Sequence, residues 1–157
     1  MAWWAAPRRN VNAAAVLAAA ALAPDLDLLV GDHRGISHSI GAAVAAGVVA
    51  GALWSVFAPA ARGRDTLRVA VCVTLAWASH VVLDWLSNDT RPPIGVMALW
   101  PFTSDYFKSS IEIFPPVSRR WGDARFWSHN VWAAFVELAL LVPVAWVLTR
   151  VVRRGRG

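Results

Sequence analysis

Long apolar runs separated by short polar stretches dominate the chain; there is little of the alternation expected of strands. Ser39–Ala58 (SIGAAVAAGVVAGALWSVFA) and Leu67–Leu86 (LRVAVCVTLAWASHVVLDWL) each reach the length of about 20 mostly apolar residues that a helix needs to cross a bilayer. Asn130–Val152 is a third run, interrupted only by Glu137 and Pro143. Val11–Ala23 is shorter and covers about 20 Å at ~1.5 Å per residue, against a hydrocarbon core of ~30 Å. The pattern predicts an all-α protein, a small polytopic membrane bundle with helices at about 11–23, 39–58, 67–86 and 130–152, forming a single integral-membrane domain. Arg8 and Arg9 before the first run, and Ala21-Leu22-Ala23 at its end, also resemble a secretory signal; Pro24 at the would-be cut favours a retained helix instead. Gly41, Gly47 and Gly51 are expected to let the second helix approach a neighbour closely.

Residues 87–127 form one long connection rich in Trp, Phe and Tyr, from Trp100 to Trp127, and are expected to lie as an aromatic segment at the membrane interface. Composition agrees with the bilayer as solvent. Hydrophobic residues make up 57% and charged residues 16%, against about 25% charged in soluble domains. The net charge of +5 is not a nucleic-acid footprint, because the basic residues sit at the ends of apolar runs and include a tail over 150–157. If all four segments cross, nine bases (Arg8, Arg9, Arg62, Arg64, Arg68, Arg150, Arg153, Arg154, Arg156) share one side with a single acid, Asp65. Six bases and eight acids share the other. The positive-inside rule then puts both termini in the cytoplasm.

The chemistry-bearing residues gather near the outer helix ends. His80 and Asp84 are four apart, so one helical face carries both; they could hold a metal ion together, or the carboxylate could merely orient the imidazole. Asp25 and Asp27 alternate along what reads as an extended stretch, either a pair of oxygen ligands or a helix terminator and turn. His33-Arg-Gly-Ile-Ser-His38 places two imidazoles just before the second helix, with Ser37 as the expected N-cap, Gly35 as the turning residue and Arg34 beside free helix N–H groups that would suit an anion. The alternative is an exposed polar loop. With Cys72 the sole cysteine, thiolate sites are excluded. Together Asp25, Asp27, His33, His38, His80 and Asp84 make a nitrogen and oxygen donor set for one or two divalent ions: zinc, manganese or magnesium. Glu137 and Asn130 share a face of the last helix, as a proton-transfer or a bundle-stabilising pair. Trp54, Cys72, Trp132 and Trp146 read as lipid- or core-facing packing.

Pro24-Asp25-Leu-Asp27, His33-Arg-Gly-Ile-Ser-His38-Ser39 and His80-Val-Val-Leu-Asp84 resemble the YdjM-like family of bacterial inner-membrane, metal-dependent hydrolases. Gly95 and Leu99-Trp100-Pro101-Phe102 are similar to the glycine and (Trp/Tyr)-Pro-Phe that follow in that family. The resemblance spans roughly residues 20–145 and implies a small multi-pass helical protein and a hydrolase of unspecified substrate. Many relatives open with a Thr-His pair; residues 1–23 here hold no histidine, so that residue is lost, replaced (His129 is a candidate) or displaced by a different start. The expected function is a membrane-bound metal-dependent hydrolase acting at the outer face on a lipid or amphiphilic phosphoester. Arg34 would neutralise developing charge, and Asp89 or Glu137 would move protons. The rivals are a divalent-cation carrier, with ligands near the membrane midplane, and a metal- or haem-binding membrane protein without hydrolase activity.

Overall fold

The computed structural model describes residues 7–29, 33–58, 63–90, 92–118 and 122–154. Among these, four α-helices and no strand occur: α1 (Pro7–Leu22), α2 (Ile40–Phe57), α3 (Gly63–Trp85) and α4 (Phe126–Arg154). Three are long and apolar enough to span a bilayer: α2, α3 and Phe126–Val151 of α4. The helix-period reading therefore holds, with α1, α3 and α4 each starting about four residues earlier than the apolar runs suggest. The extra turns of α1 and α3 are polar and that of α4 mixes Phe126 and Trp127 with Ser128 and His129; apolar runs mark the part of a helix that needs lipid rather than the part that has helical dihedrals. Of the charged residues used in the topology argument, Asp32, Arg62, Arg91, Arg119, Arg120 and Arg156 lie outside the described residues.

The chain forms two compact units, one from residues 1–85 and 91–109, the other from 86–90 and 110–157. In the first, α3 packs against both α1 and α2. The α2–α3 contact is antiparallel: Gly47 faces Ala70 and Thr74, and one turn later Gly51 faces Thr66 and Ala70. A Cβ at Gly47 would collide with Thr74 Oγ1 and sit 2.6 Å from the Ala70 carbonyl oxygen, so the close approach requires glycine. Gly41 serves a different neighbour, the carbonyl of Trp100.

The described residues between 86 and 125 contain no helix, and 126–127 already belong to α4. In the first unit part of this connection is a docked strap. Val96 and Phe107 exchange both backbone hydrogen bonds (3.0 and 2.9 Å), with Val96 fully buried. The Ala98 and Trp100 carbonyls accept from Ile40 and Gly41 at 2.9 and 3.0 Å. Ser39, not Ser37, caps α2: its Oγ accepts from the Ala42 N–H at 3.0 Å, and its own carbonyl accepts from Ala43. The N–H groups expected to be free for an anion are thus consumed by the protein itself. In the second unit, Asn130 pairs through its amide with the Ser118 backbone N–H and carbonyl (2.8 and 2.9 Å). This tethers the incoming chain to α4.

Candidate metal centre

Four short segments deliver the site. A 3-10 turn, Ala23–Leu29, follows α1 and carries Asp25 and Asp27; the extended stretch expected here is absent. A turn at His33–Gly35 and a second 3-10 turn, Ile36–His38, carry His33, Arg34 and His38. The last turns of α3 carry His80 and Asp84. The left-handed residue of the His33–Gly35 turn is Arg34 (φ +68°), whereas Gly35 has φ −79°. A non-glycine residue there costs roughly 1–2 kcal/mol and persists only when its surroundings hold it. They do: the Arg34 N–H donates to Asp27 Oδ2 (3.2 Å), its carbonyl accepts from Met97 (3.1 Å), and its Nε lies 3.3 Å from Asp84 Oδ2.

Four donor atoms converge. His38 Nε2 lies 3.2 Å from Asp84 Oδ2, 3.3 Å from His80 Nε2 and 3.5 Å from Asp25 Oδ1. His80 Nε2 lies 3.4 Å from Asp25 Oδ1 and 4.0 Å from Asp84 Oδ2. A tetrahedral ion with bonds of about 2.0–2.2 Å spaces its ligands about 3.3–3.6 Å apart, so these edges bracket the size of one coordination shell. His33 is also close: ligand atoms of Asp25, His33, His38 and Asp84 all fall within 4.8 Å of one another. Its Nδ1, however, is 2.9 Å from Asp27 Oδ1 and 3.8 Å from Asp25 Oδ1, a geometry in which it donates to Asp27. The tighter set is Asp25, His38, His80 and Asp84. Two nitrogens 3.3 Å apart with carboxylates close by leave no slot for a porphyrin.

Asp27 stands behind this set. Its Oδ2 accepts from Ser37 Oγ at 2.5 Å and lies 3.0 Å from His38 Nδ1, while Ser37 Oγ is 3.0 Å from the same nitrogen. With the Ser37 proton given to Asp27, the network assigns the hydrogen to His38 Nδ1 and turns Nε2 toward the cluster. Trp77, which the sequence reading left out, donates from Nε1 to the Ser37 carbonyl (2.8 Å) and fastens this turn to α3. Its signal was present: it lies three residues before His80, on the same helical face.

The electrostatics suit a cation. Burial alone would push the His38 imidazolium toward neutrality, but its contacts with Asp25, Asp84 and Asp27 win and raise it to about 9. Burial would likewise raise Asp25; hydrogen bonds with His38 and His80 hold it well below the usual carboxylate range. Three carboxylates (Asp25, Asp27, Asp84) and one guanidinium (Arg34) leave two negative charges among neutral imidazoles, which one divalent cation cancels. His38 is fully buried and Asp27 nearly so, while the Asp25 side chain is 39% exposed, so solvent reaches the cluster past Asp25.

The family profile for YdjM inner membrane protein matches residues 1–157. The chain belongs to this family. Membership places this YdjM-family chain in the inner membrane, in accord with its three spanning helices. Comparison with curated proteins and with solved structures returns no match.

The remaining expected residues belong to the second unit. Asp89 is buried there, and Glu137 lies half-buried on α4. His129, the candidate substitute ligand, lies with Nε2 2.6 Å from the Pro116 carbonyl and so acts as a donor to backbone.

Proposed function

We propose that the protein is a membrane-bound metal-dependent hydrolase that cleaves a phosphoester on an amphiphile. The observation that carries this is the set of four donors, His38 Nε2, His80 Nε2, Asp25 Oδ1 and Asp84 Oδ2, spaced as one coordination shell and backed by Asp27 and Arg34. Two imidazoles with two carboxylates suit zinc or manganese better than magnesium, which prefers oxygen. A divalent ion held there supplies Lewis acidity toward an anionic oxygen and a bound water of lowered pKa.

The chain's own groups have distinct parts. Asp27 and Ser37 hold His38 in the ligating tautomer, Arg34 offsets the charge of Asp84, and the exposed edge at Asp25 is where substrate enters. In the overall reaction a water oxygen bonds to phosphorus, the phosphorus–oxygen bond to the alcohol breaks, and the alcohol leaves with a proton. Asp89 and Glu137 receive no step. A cation carrier needs ligands at the midplane of broken helices; here Asp84 is one residue from the end of α3 and His38 precedes α2, which favours a site for a surface substrate.

The test is metal analysis of the purified protein joined to turnover of phosphodiester, phosphomonoester and carboxylic ester substrates. His80→Ala and Asp84→Ala should each lose metal and phosphoester turnover, while Cys72→Ala keeps both. Stoichiometric metal with no turnover of any ester would leave a metal centre and end the hydrolase reading.

A further inference from the structure

An apolar groove of about 330 Å³ runs along the same helix ends that carry the metal donors, at the lower end of the ~300–1,000 Å³ typical of ligand sites. On α3 its wall is Ala78, Val81, Val82 and Trp85, a stripe at helical spacing; His80 and Asp84 lie about a third of a turn around the same helix. Ile40 of α2, two residues after His38, closes one side. Leu99 and Phe107 of the strap close the other.

This groove is built rather than incidental. Its strap wall is fixed by the Ile40–Ala98 and Gly41–Trp100 backbone hydrogen bonds, by the double Val96–Phe107 bond, and by Met97 N–H on the carbonyl of Arg34. The last of these ties the groove wall to the residue that contacts Asp84. No charged or hydroxyl side chain lines it.

We propose that the groove seats one acyl chain of a bilayer phospholipid and so brings that lipid's headgroup to the metal donors. The inference rests on the hydrolase reading and deepens it, by making the substrate a membrane phospholipid. Both helical walls are bilayer spans, so acyl chains are the apolar molecules in excess around them. A straight, unbranched chain satisfies a lining with no charged, hydroxyl or amide side chain to match, whereas a peptide would bring backbone groups that must be paired. The polar end of a lipid seated there would meet the helix ends that carry His80 and Asp84 on α3 and the turn that carries His38, two residues before Ile40.

The experiment uses the full chain in phosphatidylethanolamine–phosphatidylglycerol vesicles with a trace of phospholipid carrying a diazirine near the end of one acyl chain. After irradiation, adducts are mapped by mass spectrometry. Labelling at Val82, Leu99 and Phe107 should exceed, severalfold, that at Val48 and Leu75, exposed apolar residues of α2 and α3 outside the groove. Ala78→Trp and, from the opposite wall, Leu99→Trp each fill the groove. Either should abolish the excess at the remaining groove positions while leaving bound metal at the wild-type level, which also reports an intact fold. Equal labelling of groove and control positions, or an excess that survives both tryptophans, would overturn the proposal. So would a groove shielded from lipid by a second copy, read as crosslinked dimers when a photoreactive benzophenone side chain is placed at Phe107 instead of the diazirine on the lipid. Groove labelling in a protein that turns over no phosphoester would keep the lipid site and remove the hydrolase reading. Turnover of a water-soluble phosphodiester without groove labelling would do the reverse.

Discussion

At the scale of single residues, the polar groups divide into a converging set and a supporting one. Asp25, His38, His80 and Asp84 aim at a common point, and Asp27 aims at His38 and His33 instead. Asp27→Asn keeps the shape but removes the charge that holds the Nδ1 proton. We expect metal affinity to fall by about 10–100-fold, the usual cost of losing such a supporting carboxylate, without unfolding; competition with a chelating dye measures it. Arg34→Lys keeps a charge but loses the planar group beside Asp84, so affinity should fall again, and Arg34→Gly should do so even though it relieves the left-handed backbone. An Arg34→Gly protein with wild-type affinity would mean that Arg34 serves the turn alone. The His38 imidazolium is favoured in the folded, metal-free state, so its contribution to stability is fully present below about pH 6.5 and is lost as pH rises through about 9. Metal-free protein in detergent should therefore melt at lower temperatures across that window. Zinc-loaded protein, which needs His38 Nε2 neutral, should lose that slope; a flat metal-free profile would refute a charged His38.

At the scale of elements, two junctions place the donors. One is the start of α2, where the buried Ser39 accepts from Ala42 and donates to the Ile36 carbonyl at 2.6 Å, locking the turn that holds His38. Ser39→Ala should cost about 0.5–2 kcal/mol, as for other N-caps, and should also weaken metal binding because His38 is its neighbour. Thermal melts with and without zinc separate the two effects. The other junction is the α2–α3 contact at Gly47. Gly47→Leu must push the helices apart, at about 1–3 kcal/mol for overpacking, and so separate His38 from His80. Retention of metal by this variant would show that the strap, rather than the helix pair, sets the donor geometry.

At the scale of the whole molecule, the charge distribution argues orientation. A reporter active only in the cytoplasm should be active when fused after Gly157 and silent when inserted at Ser110, because the bases near Arg64, Arg68 and Arg150 outweigh those of the opposite side. The reverse pattern would turn the metal donors toward the cytoplasm. Trp132 and Trp146, both more than half exposed on α4, and the exposed Cys72 of α3 read from the sequence as lipid- or core-facing, and their exposure fits the first alternative.

Sequence by itself determined the class, the four helices and the donor types, because a bilayer demands long uninterrupted apolar runs and tolerates His and Asp near them only where something holds them. The i, i+4 spacing of His80 and Asp84 needed nothing beyond helix geometry to predict. Tertiary structure decided which carboxylate joins the cluster of donor atoms. Asp25 and Asp27 are chemically identical and two residues apart, and only the 3-10 turn aims one at the cluster and the other at His38 Nδ1. It also decided that Ser39 rather than Ser37 caps α2, since Ser37 is drawn off by Asp27, and that the helix N–H groups meet the strap carbonyls instead of an anion. Local spacing specifies contacts within one helix, whereas these choices depend on segments dozens of residues apart competing for the same hydrogen bonds, and only the packed chain resolves that competition.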